Sequence, residues 1–438
     1  MKEYLLKQAK EVLYNNFQKK GFTIPSENLY PFQWKWDSGF IAIGYAHFDI
    51  EKAKKEIETI LSAQWQNGFI PHIVFHNRSD SYFPGPEVHQ SKLSKHASKK
   101  YASSGITQPP VFGFVLEKLY QICPDKKNIL TFIESQINKV YKNHVYFYFN
   151  RDIKDEGLVY IYHNWEAGTD NSPLWDDIWE TMDPPDYHFK RKDTQHVDPS
   201  QRPTKREYDN YIYLIEIAKK YQYDDKKIAA NSPFLVQDPL FNSILIRSNQ
   251  ALIELYKIIG GNDKKVTFLE EKQAKSIKSL NTKLFDENLG AYIHYDLRNK
   301  RSLALISSSS FTPLFCGAPD VKIAKKLIST FVEKFGGENN YLCASFDPTN
   351  IRFNPKKYWR GPVWINLNWI LYNGFKKYGY HELAKRIKED SIELIVKEGF
   401  YEYFDPRKGI SDLQKIGYGG NNFSWTAALL IDLLNDSY

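Results

Sequence analysis

Cysteine is scarce in this chain: three in 438 residues, at Cys123, Cys316 and Cys343, far apart and without a CxxC spacing. That excludes a disulfide framework and a zinc knuckle and fits a reducing compartment, so a cytoplasmic location is expected. No apolar run reaches the roughly 20 residues that a bilayer-spanning helix needs. The N-terminal stretch MKEYLLKQAKEVLYNNFQKKGF is charged and amphipathic, unlike a signal-peptide core. A long basic block is also lacking: the net charge of +7 comes from 59 Lys and Arg interleaved with 52 Asp and Glu. Nucleic-acid and membrane partners are therefore not expected. GxSxG, P-loop and HExxH motifs are missing. Histidines are scattered, and only His72 and His76 stand four apart, in a segment that reads as extended. Neither a metal nor another cofactor is expected. Alternating βα units and repeats of solenoid period are lacking too, which argues against Rossmann, TIM-barrel and solenoid architectures.

Aromatic residues are abundant: 30 Tyr, 28 Phe and 10 Trp. Most must be core, but the excess suits a ligand site with stacking walls. The length allows one large domain or two to three smaller ones.

Helical spacing of Tyr4, Leu5, Ala9, Val12, Leu13 and Phe17 predicts a helix over 2–19, stopped by Gly21. The segment 29–48, LYPFQWKWDSGFIAIGYAHF, starts aromatic and then turns small and apolar, fit for a helix inside the protein, with Asp37 where an N-cap would sit. Helical periodicity marks 50–64, 111–122, 125–141, 207–222, 239–260, 263–284, 307–316, 320–335, 361–376, 380–397 and 423–435. Gln64–His76 reads as a turn into a short extended piece, 144–163 as alternating aromatic and polar, and 285–295 as a short hairpin or turn. Two polar stretches, 77–104 and 177–204, show little periodicity. Irregular loops of that length in a compact domain are more often lids, more mobile than the body they cover. About a dozen helical segments joined mostly in pairs, with aromatic-rich connectors, suggest an all-α fold: a closed double ring of helices whose connectors at one end build a site.

The connector 164–176, NWEAGTDNSPLWD, is the densest of these. Gly168 and Pro173 make it a loop, or a loop entering a helix. Trp165 and Trp175 frame Glu166 and Asp170. Aromatic faces beside carboxylates suit sugars, whose C–H faces stack on rings while their hydroxyls bond to acids. Cleaving a glycosidic bond takes two carboxyls flanking it. Candidates in aromatic, irregular surroundings are Asp37, Glu166, Asp170, Asp176, Glu402 and Asp405, and Asp170 and Glu402 stand out. Any of them could equally be a cap or a surface acid. Arg360, after Tyr358 and Trp359, could clamp a carboxylate or form a structural ion pair. Arg202, with Lys205 and Arg206, could meet an anionic group on a substrate or belong to a solvated charge run.

Seven segments resemble, in order, motifs of glycoside hydrolase family sixty-three in its bacterial and archaeal branch: QWKWDSGF (33–40), ITQPP (106–110), NWEAGTDNSPLWD (164–176), DTQHVDPSQRPTKREYDNY (193–211), YWRGPVWINLNWILYNG (358–374), FYEYFDP (400–406) and FSWTAAL (423–429). Within the family they are most similar to the mannosylglycerate and glucosylglycerate hydrolases. The resemblance implies one (α/α)6-barrel catalytic domain over 1–438 and an inverting mechanism, with Asp170 as general acid and Glu402 as general base about 6.5–9.5 Å apart. It implies a hexose held among Tyr30, Trp34, Trp36, Asp37, Gln108 and Trp364. The leaving group's carboxylate is implied to lie near Arg202 and Tyr208, with help from Tyr358 and Trp359. Ala167, Thr169 and Asn164 depart from the family's usual residues, and none of the three changes removes a catalytic group. A neutral oligosaccharide or disaccharide is the competing substrate. A sugar epimerase or isomerase, or a sugar-binding protein without catalysis, is the competing class; histidine acid–base pairs, which an epimerase would need, avoid the motif segments.

Overall fold

Burial sorts the helices into two kinds. In the computed structural model, which describes residues 1–410 and 414–436, the longer helices run in chain order. They are α1 (Lys2–Asn16), α2 (Lys35–Ala46), α3 (Ile50–Leu61), α4 (Phe112–Ile122), α5 (Lys126–Asn150), α6 (Lys205–Lys220), α7 (Pro239–Ile258) and α8 (Asp263–Ser279), then a short α9 (Pro313–Cys316), α10 (Val321–Phe335), α11 (Ile365–Lys377), α12 (His381–Glu398) and α13 (Ser424–Asn435). Helix α2 is buried at every position, because its FIAIGYA run offers no polar face to water. Helix α8, with DKKVTFLEEKQAKSIKS, buries only Leu269 and Ser276. An all-round apolar helix belongs inside and a striped one at the surface.

Packing follows that division. Helix α2 packs on α4, α4 on α7, α7 on α9, α9 on α11, α11 on α13, and α13 back on α2, which closes a cycle. Outside it α3 lies on α2, α5 on α4, α8 on α7, α12 on α11 and α1 on α13. One hydrophobic cluster runs through this arrangement from Leu5 to Leu433. Caps set several starts: the side chains of Asp49, Asp125, Asp238 and Asp320 each accept a backbone N–H in the first turn of α3, α5, α7 and α10. Thr204 and Glu207 form a capping box on α6.

Several boundaries differ from the periodicity. Helix α1 ends at Asn16, where Phe17 turns extended; Phe17–Gln18 then pairs with Phe22–Thr23 in a small hairpin. Helix α5 continues to Asn150 through residues that alternate aromatic and polar, because burial of His144, Tyr146, Phe147 and Tyr148 outweighs the local pattern. Pro313 splits 307–316 into a 3-10 turn, Ser308–Phe311, and α9. Asp37 lies inside the first turn of α2, and the N-cap is Trp34.

Strands are short. Ile73–Phe75 pairs antiparallel with both Gln33–Trp34 and Ala102–Ser103, and Trp34 faces Ile73 in register. Tyr403–Phe404 pairs with Gly417–Tyr418. The irregular stretches 77–104 and 177–204 carry only single-turn helices and one short strand. They meet where Phe83 stacks on Phe189, ring centroids 4.8 Å apart. Of the 400–414 segment, residues 411–413 fall outside those described. Among the described residues no helix is long and apolar enough to cross a membrane, and no cluster of three or more His, Cys, Asp or Glu side chains could hold a metal. All three cysteines are buried and free.

Candidate active site

One cavity collects all twelve residues expected at the site: Tyr30, Trp34, Trp36, Asp37, Gln108, Asp170, Arg202, Tyr208, Tyr358, Trp359, Trp364 and Glu402. Six parts of the chain supply them: mostly connectors, with Trp36 and Asp37 in the first turn of α2 and Tyr208 in that of α6. Asn164–Ala167 forms a single helical turn that stops at Gly168 in the left-handed region, φ +76°. A Cβ there would overlap the indole of Trp36, so only glycine lets this turn approach the cavity wall. Asp170 follows two residues later, its backbone carbonyl fixed by Asn164 Nδ2 at 2.7 Å.

Glu402 enters from the opposite end of the chain, just before the Tyr403–Phe404 strand. Its Oε1 accepts from the Tyr30 hydroxyl at 2.7 Å and its Oε2 from Gly420 N–H at 3.0 Å. Gly419, φ +72°, closes the turn beside it, and a Cβ there would overlap Glu402 Oε2. Arg202 Nη2 donates to the same Tyr30 hydroxyl at 3.2 Å, and the guanidinium lies 4.0 Å over the Tyr358 ring. Its Nη1 is 3.9 Å from Glu402 Oε2 and has no hydrogen-bond partner among the described residues.

Burial pushes the Asp170 carboxyl up to about 7; Arg202 opposes this and Glu402 reinforces it. A carboxyl with that pKa carries a proton at neutral pH often enough to donate it. Burial also raises Glu402, against the opposing pull of Arg202, Gly420 N–H and the Tyr30 hydroxyl, all of which favour its anion. Asp37 is driven well above the usual carboxylate range by burial, with Glu402, Glu56 and Asp170 adding to it.

The walls are aromatic. Trp359 and Trp364 stack face to face, 3.7 Å between centroids and 4° between planes, and Tyr403 stacks behind Trp364 at 4.7 Å. Trp36 stands edge-on to Trp425 at 5.6 Å, and Tyr30 edge-on to Trp34 at 5.3 Å. Gln108 is aimed by the Trp36 N–H, which donates to its Oε1 at 3.2 Å, and by buried Lys35, whose Nζ donates to its carbonyl at 2.7 Å.

The other candidates are structural. Glu166 forms a buried fork with Arg151, at 3.0 and 3.2 Å. Arg360 clamps Asp176 at 2.8 and 2.6 Å, the structural alternative for that arginine. Asp405 pairs with Arg407 at 2.8 Å. Lys205 binds Asp186 and Asp209, and Arg206 binds Asp183, so of the three bases only Arg202 reaches the cavity.

Comparison with known proteins agrees with this geometry. The family model described as "Mannosylglycerate hydrolase MGH1-like glycoside hydrolase domain" matches residues 30–426. The chain belongs to that glycoside hydrolase family. It is 40% identical to a mannosylglycerate hydrolase of Thermus thermophilus over 97% of this chain and 99% of the relative. It is 33% identical to the glucosylglycerate hydrolase of Mycolicibacterium hassiacum over 93% and 92%. Among solved structures, the mannosylglycerate hydrolase of another Thermus thermophilus strain, in complex with Tris and D-glycerate, superposes with a TM-score of 0.89 at 39% identity, covering 98% of this chain and 99% of that one.

Other residues of this glycoside hydrolase line the cavity without standing out in the sequence: His72, Tyr82, Phe83, Trp165, Asp193, Phe423 and Trp425 among them. The expectation that histidines avoid the motif segments fails at His196, inside 193–211, and His72, outside those segments, lines the cavity. His72 stacks on Trp165 at 6.2 Å, its Nδ1 is bonded to the Ser104 hydroxyl at 2.6 Å, and burial holds it neutral. Trp165 reads in its motif only as a frame for the acids, yet it is part of the wall. Asp193 opens the motif that ends past Arg202, and an acid nine residues before a candidate anion-binding arginine was the available signal.

Proposed function

We propose that this hydrolase cleaves 2-O-α-mannosyl- or 2-O-α-glucosyl-glycerate to hexose and glycerate, with inversion at the anomeric carbon, on an (α/α)6 barrel formed by the closed helix cycle and its outer partners. The whole chain acts as one catalytic domain, with 77–104 and 177–204 as lids. Asp170 protonates the glycosidic oxygen and Glu402 takes a proton from the attacking water. The hexose sits among Trp34, Trp36 and Trp364 and bonds to Asp37, Gln108 and Tyr30. Glycerate is held by Arg202 and Tyr208 beside Tyr358 and Trp359.

One observation carries the anionic substrate: Arg202 Nη1, a buried cationic donor without a hydrogen-bond partner among the described residues, in the cavity that holds both carboxyls. A buried charge-assisted donor calls for an acceptor, and a carboxylate supplies it in a geometry that a neutral sugar hydroxyl does not match. The names of the relatives support the same substrates. Three unpaired cysteines support a place in the cytoplasm.

NMR of the product anomer released from α-mannosylglycerate, α-glucosylglycerate, trehalose and an α-1,3-glucobiose tests this. Release of the β-hexose from a glycerate is the expected result. Turnover of a neutral disaccharide alone removes the Arg202 role and keeps Asp170 and Glu402.

A further inference from the structure

Asp193 is a cavity residue to which the hydrolytic reading gives no task. Its Oδ1 accepts from Arg191 Nε at 3.0 Å; its Oδ2 accepts from Arg191 Nη2 at 2.5 Å and from Arg202 Nε at 3.1 Å. Arg191 is itself seated 4.2 Å over the Tyr208 ring. Asp193 is therefore anchored on both oxygens and is not free to follow Arg202.

Two carboxylates thus flank one guanidinium. Asp193 holds the Nε edge in a hydrogen bond, while Glu402 stands 3.9 Å from Nη1, outside hydrogen-bond range. Arg202 and Glu402 are buried, 4% and 2% exposed, and Asp193 is partly buried at 12%. Arginine and carboxylate in so dry a setting attract strongly and favour a two-pronged contact. A slight swing of Arg202 would close that contact onto the base.

We propose that Asp193 is a positioning residue: it tethers Arg202 by Nε, holds it off Glu402, and leaves the Nη1 edge open to an anionic group of the substrate. The inference rests on the reading of Glu402 as base and of Arg202 as the anion contact. Freed from the tether, Arg202 takes Glu402 as its partner. The anion then loses its donor, and the loose 3.9 Å ion pair closes into a hydrogen-bonded one, which leaves the base more acidic and less able to take a proton from water. Loss of the Asp193 charge acts in the same direction, since that charge favours the protonated form of Glu402. The ionisable groups facing Glu402 are Tyr30, Tyr358, Tyr403, Arg202, Asp193, Asp37 and Asp170. Asp193→Asn changes the Asp193–Arg202 pair and leaves the others in place.

The test is the pH profile of kcat/KM for the full-length protein and its Asp193→Asn variant on α-mannosylglycerate and α-glucosylglycerate. The expected result is a rise in KM of about tenfold and an acid limb displaced to lower pH by about half a unit or more, with the alkaline limb in place. Asp193→Glu, which keeps the charge, holds the acid limb at its wild-type position. Arg191→Gln, which removes the anchor on both Asp193 oxygens and lets Asp193 follow Arg202, moves it downward as well. An unchanged KM and acid limb in Asp193→Asn overturn the tether. So does an Asp193→Glu profile that shifts as far as that of Asn, and, if Asp193→Asn does not fold, an Arg191→Gln limb that stays put or moves up. A crystal structure of Asp193→Asn reads the tether without turnover: Arg202 Nη1 bonded to Glu402 supports it, and an unmoved Arg202 overturns it. Wild-type protein that releases no hexose from either glycerate sinks the substrate reading instead, and the crystal structure still decides the tether.

Discussion

Two buried arginines sit beneath the same connector and are used in opposite ways. Arg151 engages every nitrogen: Nη1 and Nη2 on Glu166, Nε on Asp225. Its partners are filled as well, Glu166 by the backbone N–H groups of Thr107 and Tyr162, and Asp225 by the Tyr146 hydroxyl at 2.6 Å. Arg202 leaves Nη1 without a hydrogen bond, 3.9 Å from Glu402 and beside carboxyls whose pKa values are raised. Glu166 and Asp170 are four residues apart, and one belongs to each cluster. Burial of charge therefore does not mark function here. Of these two arginines, the saturated one lies outside the cavity and the one with an open donor lines it.

The contrast breaks most visibly at the proposed catalytic pair. Asp170→Asn or Glu402→Gln lowers kcat by about 10³-fold or more, and Asp170→Asn does so without lowering the melting temperature at neutral pH, because burial makes the charged form of Asp170 costly. The pH dependence has a definite sign. With Asp170 raised to about 7 in the fold, against 3.8 for the ordinary carboxyl, the stability that its neutral form contributes is full at pH below 3.8 and is lost as pH rises through 7. Asp170→Asn escapes that loss, so it gains on the wild type between those pH values and holds the gain above them. Paired thermal melts across that range check this, and a variant that melts lower at pH 8 contradicts it.

Arg151→Met does the reverse. Two carboxylates are left buried without their cation, and urea unfolding should show a loss of about 3–5 kcal/mol. The molecules that remain folded keep kcat/KM within about tenfold of wild type. A stable Arg151→Met protein with no activity would erase the distinction between the two clusters. Smaller again is Gly419→Ala, whose new methyl displaces Glu402 from its two donors. A base moved by about 1 Å costs up to roughly 100-fold in kcat, and the left-handed backbone adds about 1 kcal/mol of destabilisation.

Most of the helices were legible because an apolar stripe, or its absence as in α2, is a local property of the chain. The candidate site was legible as a set of rings and acids in irregular connectors. What stayed hidden was partner choice. Glu166, Asp176 and Asp405 look like Asp170 and Glu402 in the sequence, and only the fold shows Arg151, Arg360 and Arg407 taking them up; in two of the three cases the partner is distant in sequence or unmarked by periodicity. Asp193 and the Phe83–Phe189 contact escaped for a related reason: stretches without a period give no register from which a side chain's direction can be inferred. Helix α5 misled by composition, since alternating aromatic and polar residues also fit a helix buried on several sides.

The helix cycle closes only when α13 returns to α2. Ser424 N–H then reaches back to the carbonyl of Pro25 at 2.9 Å, and Asn16 Nδ2 reaches forward to the Ser424 hydroxyl at 2.9 Å. On a ribosome the residues of α2 emerge early and wait through nearly the entire synthesis for the wall that covers them. The proposed acid, Asp170, is made long before the proposed base, Glu402, and the turn that seats Glu402 comes later still. A chain stalled short of α13 exposes an apolar inner helix, and one stalled between Asp170 and Glu402 holds only one of the two cavity carboxyls. The cell's burden for this enzyme thus falls at the last step of translation, where chaperone demand should peak and where nonsense mutations near the C-terminus should be as damaging as those near the start.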